Sequence, residues 1–224
     1  MNDVAKLDAG EFRQWLYQHI DAERNAGSTP VVCGDCLACC RASYFIHVAA
    51  NEKQALASIP KPLLFTAPGM APGHYLMGYD QQGRCPMLKQ QQCTIYSKRP
   101  LTCRQYDCRI FTATGINPKE VEKKEIAQQV QRWQFTYADA AAQALHQSVK
   151  RAASFLQDHG EQFPKQFMPG NSTQLAALAI NVHELFVSES ASNQVDSMIQ
   201  QIIESMQQTS LTKKIKNTEA AGGR

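Results

Sequence analysis

The chain has 224 residues, 43% hydrophobic and 19% charged, a balance that suits a folding chain rather than a wholly disordered one. Its 23 lysines and arginines face 20 acidic residues, and a net charge of +3 is too even for a dedicated nucleic-acid or membrane-surface binder. The longest apolar stretch, Leu175 to Val187, carries His183 and Glu184 and is too short to span a bilayer. Met1-Asn2-Asp3-Val4 has neither the basic nor the apolar part of a secretory signal, so a soluble, cytoplasmic protein is expected.

Residues 1–30 read as an N-terminal helix. Asp8 and Glu11 have capping-box spacing, and Phe12, Trp15, Leu16, His19 and Ile20 form one apolar stripe that ends at Asn25–Pro30. Residues 31–115 have poor helical periodicity and hold every cysteine. Within them Ser43–Ala49 and His74–Tyr79 read as short strands, and Pro60, Pro62, Pro68 and Pro72 imply an extended or looped connection between two cysteine groups. Residues 116–208 read as helical. Asn117-Pro118 starts a 3–4 apolar spacing that runs from Ile126 to Leu156, as one helix or as two broken near Tyr137–Asp139. Gly160–Asn171 is a loop, and Ser172 and Ser192 are placed to cap two further amphipathic helices. The tail, 209–224, sets Lys213, Lys214, Lys216 and Arg224 against Glu219 and is expected to be flexible. The fold class is therefore mainly α: a helical bundle carrying a small, irregular, cysteine-rich metal-binding module with short strands.

Eight cysteines occur, all between Cys33 and Cys108. In a reducing compartment such a cluster points to metal or redox chemistry rather than to disulfides. Cys33, Cys36, Cys39 and Cys40 form C-x2-C-x2-C-C, and two residues between cysteines let two sulfurs converge on one ion. The second group is Cys85, Cys93, Cys103 and Cys108. Thiolates select zinc, copper(I) or iron–sulfur clusters over hard cations. Four plus four cysteines allow two four-thiolate sites, or one cluster with extra thiols. Side chains of adjacent residues diverge, so Cys39 and Cys40 are expected to serve different centres, or one of them to be a spare thiol.

Arg41, Arg84, Arg104 and Arg109 each adjoin a cysteine, and Arg99 lies between Cys93 and Cys103. Guanidinium groups here can offset thiolate charge and donate hydrogen bonds to sulfur, a cofactor-binding role assigned to Arg99 and Arg104. Pro100 suits the first turn of a short helix that places Cys103 and Arg104. His47 and His74 are secondary ligand candidates beside their reading as strand residues. The chain lacks H-E-x-x-H, C-x-x-C-H, a P-loop and G-x-G-x-x-G, and no βαβ pattern supports a thioredoxin-type reading of Cys33 and Cys36.

The run Cys33-x2-Cys36-x2-Cys39-Cys40, then Cys85-Pro86-Met87-Leu88, then Cys93-Thr94-Ile95-Tyr96-Ser97-Lys98-Arg99-Pro100-Leu101-Thr102-Cys103-Arg104, then Cys108, resembles the CxxCxxCC family. These are bacterial cysteine-cluster proteins to which zinc or iron chelation, or iron–sulfur oxidoreductase activity, is ascribed. A flagellin lysine-N-methylase contains a similar module, but no methyl-donor site is recognisable here. The resemblance implies an iron–sulfur cluster ahead of zinc as the cofactor, with no assigned catalytic residue. Two other functions fit the residues: a structural zinc module that scaffolds a protein partner through the C-terminal helices, and a metal-trafficking or sensing protein. Neither nucleic acid nor membrane is expected as a partner.

Overall fold

The computed structural model describes residues 5–31, 35–188 and 194–222, with side chains up to residue 208. Cys33 and Ser192 lie outside the described residues. Strand β1 (Leu7–Glu11) leads into helix α1 (Phe12–Arg24). Then come β2 (Ile46–Val48), α2 (Lys53–Ser58), β3 (Leu64–Phe65), β4 (Tyr75–Met77), β5 (Leu88–Lys89) and β6 (Gln92–Cys93). Helices α3 (Leu101–Gln105), α4 (Arg109–Thr114) and α5 (Lys124–Val130) precede β7 (Trp133–Thr136). Helices α6 (Ala140–Asp158), α7 (Ser172–Val182) and α8 (Val195–Gly222) complete the chain. The fold is mainly α with short strands. The backbone divides into two compact units, 1–112 with 117–136, and 113–116 with 137–224.

In the first unit β1 and β7 pair in parallel, with a register shift between Asp8 and Gly10. This strand replaces the start of the expected N-terminal helix. Gly10 takes φ +91, a conformation that favours glycine, and Asp8 Oδ1 accepts its N–H at 2.7 Å. Asp8 is thus spent on the bulge, and Glu11 caps α1 instead by accepting the Gln14 N–H at 2.7 Å. The apolar stripe of α1 buries Phe12, Trp15, Leu16 and His19. Phe12 and Trp15 pack on Phe135 of β7 with ring centroids 5.1 and 4.9 Å away. Trp133 and Phe135 are buried while Gln134 and Thr136 are exposed, the alternation of a half-buried strand. A strand therefore separates α5 from α6 where the sequence spacing suggested continuous helix.

A second sheet, antiparallel and ordered β2-β4-β3, lies against α2. Val48, Ala55, Ile59, Met77, Met87 and Ile95 form its buried core, and Cys85 and Cys93 pack on the edge of that core. The proline-rich connection is thus partly regular, containing α2 and β3.

In the second unit Asp139 caps α6 through the Ala142 N–H at 2.8 Å. Helix α6 packs on α7 and on the 3-10 turn His183–Phe186. Phe155 meets Phe186 at 5.4 Å between centroids, and Arg151 donates to the Phe186 carbonyl at 2.7 and 3.0 Å. Asn171, not Ser172, caps α7 by accepting the Gln174 N–H at 3.0 Å. Met198, Ile199, Ile202 and Ile203 are the buried face of α8. This helix continues to Gly222, through the segment whose composition suggested a flexible tail. No described helix is long and apolar enough to cross a membrane.

Candidate metal centre

Four separate segments carry cysteines towards one another. The 3-10 turn Ala38–Arg41 presents Cys39 and Cys40. The Cys40 carbonyl accepts the Cys85 N–H at 2.7 Å, laying the two cysteine groups side by side. Three residues on, the Ser43 N–H donates to the Gly83 carbonyl at 3.0 Å, extending that contact. Cys93 lies in β6, paired with Leu88 of β5 across a tight hairpin whose Gln90 and Gln91 take φ 48 and 61. Cys103 sits in the first turn of α3, its N–H donating to the Pro100 carbonyl at 2.9 Å, as Arg99-Pro100 predicts.

Helix α3 is itself held by Glu52. One carboxylate oxygen accepts the Leu101 N–H at 2.6 Å, and the other accepts the Ala49 N–H at 2.8 Å. Thr102 adds a hydroxyl bond to the His47 carbonyl at 2.9 Å. The Cys103 position is therefore tied to β2 and to the start of α2 by two hydrogen bonds, with Glu52 itself held by the Ala49 N–H.

Electrostatics identify the thiol neighbours. Burial, joined by the charges of Cys85, Cys40 and Cys93, pushes the Cys103 thiol up to about 12. The Arg99 charge opposes them and lowers the Cys103 value. Burial likewise raises Cys85, with Cys93 adding to it. Cys39 and Cys108 act elsewhere: after burial, their charges raise the Tyr106 hydroxyl, whose oxygen lies 3.1 Å from that of Tyr44. Cys108 is buried and accepts the Trp133 indole N–H at 3.3 Å. Cys36 is half-buried just before the 3-10 turn.

Cys40, Cys85, Cys93 and Cys103 are thus an all-sulfur set of half-buried donors, three of whose charges act on Cys103. That chemistry fits a soft metal centre. Among the described residues no three Cys, His, Asp or Glu side chains stand close enough to share one ion, so ligation requires the thiols to rotate inward.

Three of the other cysteine-flanking arginines are spent on carboxylates. Arg41 pairs with Glu125 at 3.3 Å, Arg84 with Asp80 at 3.4 Å and Arg109 with Asp107 at 2.7 Å. Arg104 lies 3.9 Å from Glu52. His47 and His74 are brought together, Nε2 to Nδ1 at 2.9 Å, in a pair that each completes for the other.

Sequence reasoning missed Asp107. Its side chain is 0% exposed and accepts the Trp15 indole N–H at 2.9 Å and two Arg109 guanidinium N–H groups, the shortest at 2.7 Å. Arg109 also donates to the carbonyls of Ala9 and Pro30. This buried knot fixes α1, β1 and the start of α4 immediately beside Cys108. Asp107-x-Arg109 next to a cysteine was the available signal.

Short strands, 3-10 turns and loops that bring half-buried thiols from separate segments into one unit make this a cysteine-rich module of the kind that binds soft metals. Residues 32–136 match the model of the CxxCxxCC family, described as "Putative zinc- or iron-chelating domain". The match ends at Thr136, the last residue of β7 and of the first unit, so it includes α4 and α5 as well as the cysteines. Neither a curated protein nor a solved structure matches the chain.

Proposed function

We propose that Cys40, Cys85, Cys93 and Cys103 hold one metal centre, and that Cys36, Cys39 and Cys108, with Cys33, belong to a second. The observation that carries this reading is the 2.7 Å bond from the Cys85 N–H to the Cys40 carbonyl, which sets side by side two cysteines 45 residues apart; the charges of Cys40, Cys85 and Cys93 raise the Cys103 thiol, whereas those of Cys39 and Cys108 raise Tyr106. We further infer that the first centre is an iron–sulfur cluster. The supports are a donor set without histidine or carboxylate, the Arg99 charge acting on Cys103, and the apolar flank of Met87 and Ile95 beside Cys85 and Cys93. Such surroundings tune a cluster's potential through charge and burial. The chain's own contribution is to orient the four thiolates and shield them from water. When bound, the cluster supplies one-electron chemistry or a Lewis-acidic iron.

Zinc in the same sulfurs is the second reading, because four thiolates from irregular segments also make a structural site. Anaerobic purification with iron, sulfide and zinc analysis decides between them. Brown protein with matching iron and sulfide is expected; colourless protein with stoichiometric zinc rejects the cluster. Cys40→Ser and Cys39→Ser are each expected to remove part of the metal and the double variant to remove the sum; a double variant that loses no more than either single variant rules out two centres.

A further inference from the structure

A cavity of about 450 Å³ opens between the start of α2 and the Ser97–Arg104 segment, within the range that takes a small molecule. Lys53, Lys98, Arg99 and Arg104 line it, and Glu52 is the sole carboxylate among the lining residues. Both oxygens of Glu52 already accept backbone N–H groups, those of Leu101 and Ala49. Its contact with Arg104, at 3.9 Å, is too long to occupy that guanidinium's donors. Arg99 lies over the Tyr96 ring, 4.0 Å from its centroid, and gives one N–H to the Tyr96 carbonyl at 2.9 Å. The planar fork is thereby held in place with donors to spare. Ser97 adds a hydroxyl to the same wall.

Four cations converging on one concave surface repel one another, and an anion of matching size relieves that repulsion. A lone carboxylate answers only one of these charges. A phosphoryl group brings about two, with oxygens that accept from an arginine fork and a lysine ammonium together. We propose that this cavity binds a small soluble molecule through a phosphoryl group. No cysteine lines it, so the proposal stands whatever metal the thiols hold. Arg104 adjoins Cys103 in α3, which places the bound phosphoryl group next to the helix that presents that thiol.

The test is calorimetric titration of the full chain with inorganic phosphate at low ionic strength, with succinate as the comparison. Saturable one-to-one phosphate binding is expected, tighter than succinate. Lys53 and Lys98 are exposed, so the Lys53→Gln/Lys98→Gln double variant keeps its fold and metal content. Removing two cations from the wall weakens phosphate binding about tenfold. Lys61→Gln, exposed and outside the cavity, leaves it unchanged. The proposal is overturned by absence of saturable binding, by succinate binding as tightly as phosphate, or by equal weakening in Lys61→Gln. Sedimentation with phosphatidic-acid vesicles that free phosphate does not displace assigns the site to a lipid headgroup and also overturns it.

Discussion

Replacing Asp107 by alanine withdraws the acceptor at the centre of the buried knot. Two guanidinium N–H groups of Arg109, the Arg109 backbone N–H and the Trp15 indole N–H all lose their partner. Arg109 keeps its bonds to the Ala9 and Pro30 carbonyls, but its side chain, 12% exposed, retains a charge that water scarcely reaches. Stranding one member of such a pair costs about 3–5 kcal/mol. Asp107→Asn retains one oxygen acceptor and loses the charge, for a smaller cost of about 1–3 kcal/mol. Urea denaturation with metal loading held constant reads both values from the midpoint shift at unchanged slope. A loss below about 1 kcal/mol for Asp107→Ala refutes the reasoning, because it ranks the pair with exposed surface ion pairs.

Gly83 has φ +74, and a methyl group added there collides with Ser43 Oγ. Gly83→Ala is expected to cost more than about 1 kcal/mol in the same denaturation assay. Glu52→Ala, which frees the N–H groups of Leu101 and Ala49, is expected to cost about 1–2 kcal/mol and to increase hydrogen exchange at Leu101. Burial holds His19 below the usual histidine range, against the pull of Asp107 and Glu23 and with the help of Arg109. Unfolded chains take up the proton that the folded state resists, so stability is intact above about pH 6.5 and declines as pH falls below it. Denaturation midpoints measured across pH 5–8 check this, and His19→Gln should flatten that part of the curve. Chelating the metal should speed hydrogen exchange across 35–108 while leaving α6 unchanged; no change in the first segment means that metal does not hold it.

The long elements were legible because their periodicity spans several turns: the stripe of α1 and the apolar faces of α6, α7 and α8 all follow 3–4 spacing. Strand β7 was not. Trp133 and Tyr137 are four apart, and four residues are too few for the period-two alternation of Trp133 and Phe135 to outweigh that helical spacing. Its partner β1 contains Asp8 and Gly10, both disfavoured in strands, and pairs with a segment some 126 residues later. The turn of α3 could be read from Arg99-Pro100, because proline acts on its own backbone. Which thiols neighbour which could not, since that depends on the Cys40–Cys85 backbone bond across a 45-residue separation. Trp15 and His19 were readable as core, but not the charge beneath them, which Asp107 supplies from 92 residues away.

The chain has two tryptophans, and they donate their indole N–H groups to consecutive residues: Trp15 to Asp107 and Trp133 to Cys108. Intrinsic fluorescence therefore originates within a few ångströms of one dipeptide. A thiol that becomes a metal-bound thiolate alters the acceptor of one indole and the field at the other. The emission spectrum is thus a built-in gauge of the Cys108 side of the module, one that needs no label and would report any change in the state of that thiol in real time.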